Sequence, residues 1–393
     1  MRLPPLFLFF VLGLILYFPI FFTGFAGDDL PHFHIVQKNY AGYPLSPFTH
    51  VIGSPDEHHL LGYFYRPLPF LFYTTISSNS VTSALPFHAI QIILYILAVY
   101  LLYIFYKRFF SGKIAFILGI IFLIHPANND LGAYIAALDE TLCLFFGVLT
   151  LLLIKKHPSK KLVLAVFATI LFSLFSKETG VVFAALALIY SGYKKAFIYT
   201  LPIFLAISAY GLFRINAAQN AVFLLTPSPT ANLSMNEHLF LSIQIAFTFF
   251  REILLPTRSG IKPGAFAPTW HDSIFPAIML VLFFVACFSL WKFLKVHNKK
   301  HLGTLGFFLC WILLGIPLHL QFIPLEVIFS DRWLYITEIG VLGVLGAALT
   351  NLPAIKTKWI TLVRILFIVI LVLYAIQTLV LNFMWLHWEK YFI

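Results

Sequence analysis

Long apolar runs separated by short basic clusters set the pattern of this chain. The longer apolar stretches run roughly from Leu6 to Phe22, Leu85 to Tyr106, Ile274 to Leu294, Leu302 to Leu318, Leu334 to Leu352 and Trp359 to Leu386. Each is long enough to carry an α-helix across about 30 Å of hydrocarbon. Between Lys113 and Phe213 the runs are shorter: Ile114 to Ile124, Thr141 to Ile154, Leu162 to Phe175, Val181 to Tyr190 and Ala196 to Phe213. Several need flanking residues to complete a span. No tandem repeat, coiled coil or low-complexity linker interrupts the series.

Basic residues order these spans by side. The clusters Lys107-Arg108-Lys113, Lys155-Lys156-Lys160-Lys161, Lys194-Lys195, Lys292-Lys295-Lys299-Lys300 and Lys356-Lys358 belong on the cytoplasmic face, with Arg2. Counting Leu239 to Leu255 as a crossing would throw Lys292 to Lys300 outside, so this run is expected to be interfacial or re-entrant. The expectation is an all-α, polytopic integral membrane protein of about eleven spans, N-terminus cytoplasmic and C-terminus external. Residues 1–393 then form one membrane domain, with external segments at about 23–84 and 214–272 bearing short interfacial helices. Leu6 to Phe22 could also serve as a signal peptide, but no Ala-x-Ala-like site follows, and an uncleaved span is expected. With this parity, and with Glu338, about one turn into the tenth span, assigned to that span's outer end, all 15 Asp and Glu fall on the external side, as does every histidine except His157, His297 and His301. Acidic residues do not drive topology, so their segregation locates chemistry independently of the basic clusters.

Composition agrees with the pattern and narrows the function. The chain is 61% hydrophobic and 10% charged, and its 45 phenylalanines outnumber all charged side chains, which excludes a water-soluble enzyme. Cys143, Cys287 and Cys310 lie in apolar runs and imply no disulfide framework. The net charge of +11 is explained by the cytoplasmic clusters, so nucleic acid is not an expected partner.

Five constellations could carry chemistry. In Gly27-Asp28-Asp29-Leu30-Pro31-His32-Phe33-His34, two adjacent carboxylates sit where the first span emerges. Mutual repulsion and partial desolvation would raise the pKa of at least one, fitting it to accept a proton. Capping aspartates at a solvated loop start are the structural alternative, and a divalent metal held with His32 and His34 is a weaker one. In Tyr63-Phe64-Tyr65-Arg66-Pro67-Leu68-Pro69 an arginine stands among aromatics before a span, either to grip a phosphate or to snorkel beside an aromatic belt. Ser176-Lys177-Glu178-Thr179-Gly180 lies at the outer tip between two short spans, and Ile124-His125-Pro126 with Ala137-Leu138-Asp139-Glu140 brackets a polar external connection. In Ser330-Asp331-Arg332-Trp333-Leu334-Tyr335, Asp331 either orients Arg332 toward an anion or neutralises it.

Jointly these sites place acids and three separate cations, Arg66, Lys177 and Arg332, on one membrane face. Transfer from a lipid-linked phosphosugar needs that combination: positive charge for the phosphate leaving group at the interface, and a carboxylate base for the acceptor hydroxyl. No P-loop or G-x-G-x-x-G motif is present, which fits a lipid-borne donor.

The ordered motifs Asp28-Asp29, Tyr65-Arg66-Pro67-Leu68, Pro86-Phe87-His88, His125-Pro126, Ser176-Lys177-Glu178-Thr179-Gly180 and Asp331-Arg332-Trp333-Leu334-Tyr335 resemble the multi-spanning class C (GT-C) glycosyltransferases. The likeness is to the membrane part of the transmembrane and tetratricopeptide-repeat O-mannosyltransferases and their bacterial relatives, over about Phe21 to Gly346. It implies a polyprenyl-phosphate sugar donor and a catalytic base from the acidic pair, Asp28 or Asp29, with Asp28 preferred. Arg66, Lys177 and Arg332 would hold the donor phosphate, and His125, Asp139, Glu178, Asp331 and Tyr335 would line a polar cavity. The chain departs from that pattern with Asp331-Arg332 in place of a frequent Glu-Arg, with Ala136-Ala137 where a basic residue often stands, and with no tetratricopeptide repeats in its residues.

The expected activity is therefore inverting transfer of a mannose-like hexose, or another sugar, from a polyprenyl-phosphate carrier to an acceptor hydroxyl on the non-cytoplasmic face. No cofactor is required and a divalent metal is optional; the partners are the lipid-linked donor, membrane lipids and an acceptor that the sequence leaves open. The resemblance favours a bacterial inner membrane. A transporter or flippase of lipid-linked sugars is the alternative, although it should place polar groups at mid-membrane and on both faces.

Overall fold

The computed structural model describes residues 3–36, 45–49, 64–76, 83–218, 228–256, 266–322, 325, 327–351 and 360–388. The basic pair Lys356-Lys358 lies outside the described residues. Regular structure among the described residues is helical, without strands. Local chemistry sets several helix starts. Ser111 and Ser159 accept from the Ile114 and Leu162 amides, opening α5 (Gly112–Ile124) and α8 (Lys160–Ser176). Ser234 and Glu237 form a reciprocal capping box at α11 (Met235–Leu254).

The chain divides into two compact units. The first comprises Met1–Phe105, Asn129–Pro227 and Leu379–Ile393. It holds α1 (Pro5–Tyr17), α2 (Asp29–Ile35), α3 (Pro67–Ile76), most of α4 (Leu85–Tyr106), α6 (Asn129–Ala133), α7 (Leu138–Leu153), α8, α9 (Gly180–Tyr193), α10 (Thr200–Ala218) and the end of α15 (Ile360–Trp385). Helix α7 packs on α8 and α9, and Gly147 lets it approach α9 so closely that a Cβ there would overlap the Phe183 ring. Phe33, Tyr65, Tyr73, Phe87 and Phe175 form an aromatic core under α2 and α3.

The second unit, Tyr106–Asn128 and Ser228–Thr378, holds α5, α11, α12 (Trp270–His297), α13 (Leu302–Gly315), α14 (Leu334–Asn351) and most of α15. Gly340 and Gly343 of α14 face Ile312 and Phe308 of α13 without room for a side chain. Helix α11 buries Leu241, Ile245, Phe249, Phe250 and Ile253 and keeps polar residues among them. Helix α5 stops at Ile124, and side chains satisfy the freed backbone: Thr378 Oγ1 donates to Ile124 O and Asn128 Nδ2 to Phe122 O, while His125 Nε2 donates to Ile253 O near the end of α11.

Among the described residues, eight segments are long and apolar enough to cross a membrane: Pro5–Phe22, Leu85–Tyr106, Ile135–Leu153, Phe197–Ala217, Trp270–His297, Leu302–His319, Asp331–Asn351 and Arg364–Trp385. Taking the helix broken at His125 as one span makes nine. Helices α8 and α9, with 17 and 14 residues, fall short of that length, and α11 is not among the candidates. The difference from the expected eleven thus concerns the punctuated middle of the sequence. Only 17% of the spanning window is buried in α12 and in α15, with Val281, Leu282, Ile368 and Leu373 all exposed. Apolar surface on that scale is stable in hydrocarbon and not in water.

Candidate active site

The acidic pair, Arg66 and Lys177 with their partners Asp139 and Glu178 meet within the first unit, around the segment from Tyr134 to Glu140. Asp28 occupies the N-cap position of α2 but makes no capping hydrogen bond with its side chain, so capping does not explain it. Its backbone N–H donates to Tyr134 Oη at 2.7 Å, and its side chain is half-buried. Asp29, 1% exposed, is held at both oxygens: Oδ2 accepts the Ala26 N–H at 2.9 Å and Oδ1 the Ala136 N–H at 2.8 Å. Burial, reinforced by the neighbouring Asp28 charge, pushes its pKa up to about 8 against the pull of those two amides. One carboxylate is locked into the scaffold; its neighbour is half-exposed.

Three residues beyond Ala136 begins a chain of ion pairs. Arg66 Nη1 binds Asp139 Oδ2 at 2.7 Å, and Arg66 Nε binds Glu178 Oε2 at 3.0 Å. Lys177 Nζ lies 3.4 Å from Asp139 Oδ2 and also hydrogen-bonds Glu140 Oε1. Arg214 approaches Glu178 Oε1 at 3.9 Å, while donating to the Tyr210 hydroxyl at 3.2 Å. Arg66 is further fixed by the Phe64 ring, 4.1 Å from its guanidinium carbon. Three cations face three carboxylates, so the network is formally balanced.

Its two ends differ in exposure. The side chains of Lys177, Asp139 and Glu140 are at most 8% exposed, whereas those of Arg66, Glu178 and Arg214 reach 20%, 27% and 36%. The deep end is where a charge would be most costly to leave alone. The shallow end is the more accessible to solvent. At Glu178 burial favours the neutral form, but Arg66 and Arg214 outweigh it and hold the carboxyl below its usual range.

Tyr73 joins the two halves: its hydroxyl donates to Ile135 O at 2.8 Å, inside the segment that binds Asp28, Asp29, Arg66 and Lys177. His32 packs edge-on to Phe70 and roughly parallel to Tyr73, while His34 is exposed. Among the described residues no group of three or more His, Cys, Asp or Glu is arranged to hold a metal ion.

The remaining candidates belong to the second unit. Asp331 and Arg332 form a short 3-10 turn leading into α14, and Tyr335 is buried in its first turn. His125 is fixed as a structural element: Nε2 donates to Ile253 O at 2.9 Å and Nδ1 accepts the Ala127 N–H at 3.2 Å. Arg214, Tyr134 and Tyr73 escaped the sequence reading. Arg214 carried a signal, a cation just after a span as Arg66 is one just before; the two tyrosines carried none.

Fold and site together define a polytopic helical membrane protein with a buried ion network beside a half-exposed carboxylate. Comparison of the chain with protein-family models, curated proteins and solved structures found no match.

Proposed function

We propose that this protein is an inverting glycosyltransferase of GT-C type that moves a sugar from a polyprenyl-phosphate carrier to an acceptor hydroxyl on the non-cytoplasmic face. The observation that carries the reading is that one segment, Tyr134 to Glu140, holds both the acidic loop and the cation network. A base and a phosphate-binding cation must act on the same anomeric carbon from opposite sides, so they must be held by one scaffold.

In this reading Asp28 takes the proton of the acceptor hydroxyl as its oxygen bonds to the anomeric carbon, and the carbon–oxygen bond to the carrier phosphate breaks. The electron pair leaves with the phosphate, whose negative charge meets Arg66 and Arg214. Glu178 gives up one of its cation contacts to the phosphate, while the deep pairs of Lys177 keep the network in place. Helix α9, about 21 Å long at 1.5 Å per residue, is shorter than the hydrocarbon core. A hairpin of α8 and α9 rising from the cytoplasmic lysines would recess Lys177 and Glu178 below the outer surface, at the depth of a lipid-borne phosphate. With that hairpin and the helix broken at His125, the spans total about eleven.

The test is turnover of a polyprenyl-phosphate sugar by reconstituted protein. Asp28→Asn is expected to lower kcat by about 100-fold or more, the usual worth of a general base, with donor KM little changed. Equal turnover by wild type and Asp28→Asn would remove the assignment.

A further inference from the structure

We propose that the end of α15 is a positioning strut for Asp28, acting through Tyr134. Asp28 cannot position itself, because its N-cap side chain makes no bond to the helix it opens. Its backbone is held from outside by Tyr134 Oη, the acceptor for its N–H at 2.7 Å. Tyr134 is held in turn by Trp385, whose ring stacks on it at 5.2 Å between centroids and 25° between planes.

A polar ladder fixes Trp385. Its indole Nε1 donates to Asn129 Oδ1 at 2.8 Å, Asn129 Nδ2 donates to Asn382 Oδ1 at 2.7 Å, and Asn382 Nδ2 donates to Leu16 O at 2.8 Å. Asn129 and Asn382 are 3% and 0% exposed. Buried amides bonded in series tolerate few alternative arrangements, since any shift strands a polar group without water. The ladder therefore ties α1, which leads into the Asp28 loop, to α6 and α15.

Gly27 shows how closely the strut fits. Its φ of +50 is in the left-handed region, and a Cβ there would stand 2.7 Å from Tyr134 Oη but 3.5 Å from the ring carbon bearing it. The loop turns at Gly27 against the hydroxyl that Asp28 bonds. Losing that hydroxyl releases the Asp28 amide and makes room for a side chain at Gly27.

As a structural strut this stands alone; as a positioning device for catalysis it rests on the glycosyl-transfer reading. The experiment separates the two by measuring hydrogen exchange and turnover on the full chain. Tyr134→Phe should raise amide exchange in a peptide covering residues 24–32 by about tenfold, leaving peptides of α13 and α14 unchanged. Trp385→Phe, which keeps a ring but loses the indole donor, should do so more weakly, and Trp385→Leu more strongly.

Turnover by Tyr134→Phe should show lower kcat with unchanged donor KM. Gly27→Ala should be impaired more, and the Gly27→Ala/Tyr134→Phe pair less than the product of the two single effects, because the overlap is gone. Unchanged exchange at residues 24–32 in both Tyr134→Phe and Trp385→Leu overturns the strut, as does a fully multiplicative pair. Raised exchange with turnover insensitive to Asp28→Asn keeps the strut and discards the catalytic reading.

Discussion

Asp28 and Asp29 are the same side chain in adjacent positions, and the fold gives them different work. Asp29 is buried with both oxygens on backbone amides. Its pKa of about 8, against the usual 3.8, means that the folded state binds the extra proton between those values. Its contribution is thus fully present below about pH 4 and is lost as pH rises through about 8. Thermal midpoints in detergent are expected to show this downward slope in wild type and to lose it in Asp29→Asn. That variant is also less stable by about 1–3 kcal/mol, because an amide cannot accept at both ends and one backbone N–H is orphaned. At Lys177 the deep ion pairs set a larger penalty. Lys177→Ala leaves Glu140, 0% exposed, without its cation and should cost about 3–5 kcal/mol by the same measurement.

Among the elements, the first turn of α7 and the segment before it matter most, since backbone and side chains there reach α2, α3 and the turn between α8 and α9. The motifs at Asp28, Arg66, Asp139 and Lys177 were each legible as polar interruptions of an apolar pattern. Their pairing was not: Arg66 finds Asp139 and Glu178 at sequence separations of 73 and 112. Close packing of α13 on α14 gives a check on the scaffold. Gly343→Ala puts a methyl group into the Phe308 ring and should lower stability by about 1–3 kcal/mol, and Phe308→Leu in the same chain should recover part of it.

For the whole molecule, six of the eight long apolar helices among the described residues lie where the six longer hydrophobic runs do, because hydropathy over about 20 residues is a local property. The short runs read less well. Lengths of 17 and 14 residues in α8 and α9 leave open on pattern alone whether they cross, and the proposed topology settles this by experiment. In sealed vesicles, a cysteine at Thr179 should react with an impermeant maleimide from the same side as one at Asp28, and a cysteine at His157 only from the other. Labelling of Thr179 from the His157 side would remove the hairpin crossing and, with it, the recessed phosphate site.

Sequence alone determined the helical membrane class, the longer apolar helices and the short list of polar residues worth explaining. All of these depend on neighbours within a turn or two, or on the cost of charge in hydrocarbon. Tertiary structure decided which aspartate is locked and which is left half-exposed, which carboxylate answers which cation, and that Tyr134 and Trp385 stand behind Asp28. Those outcomes depend on side chains meeting across separations of up to 256 residues, and desolvation and hydrogen-bond direction act only once the chain has brought them together.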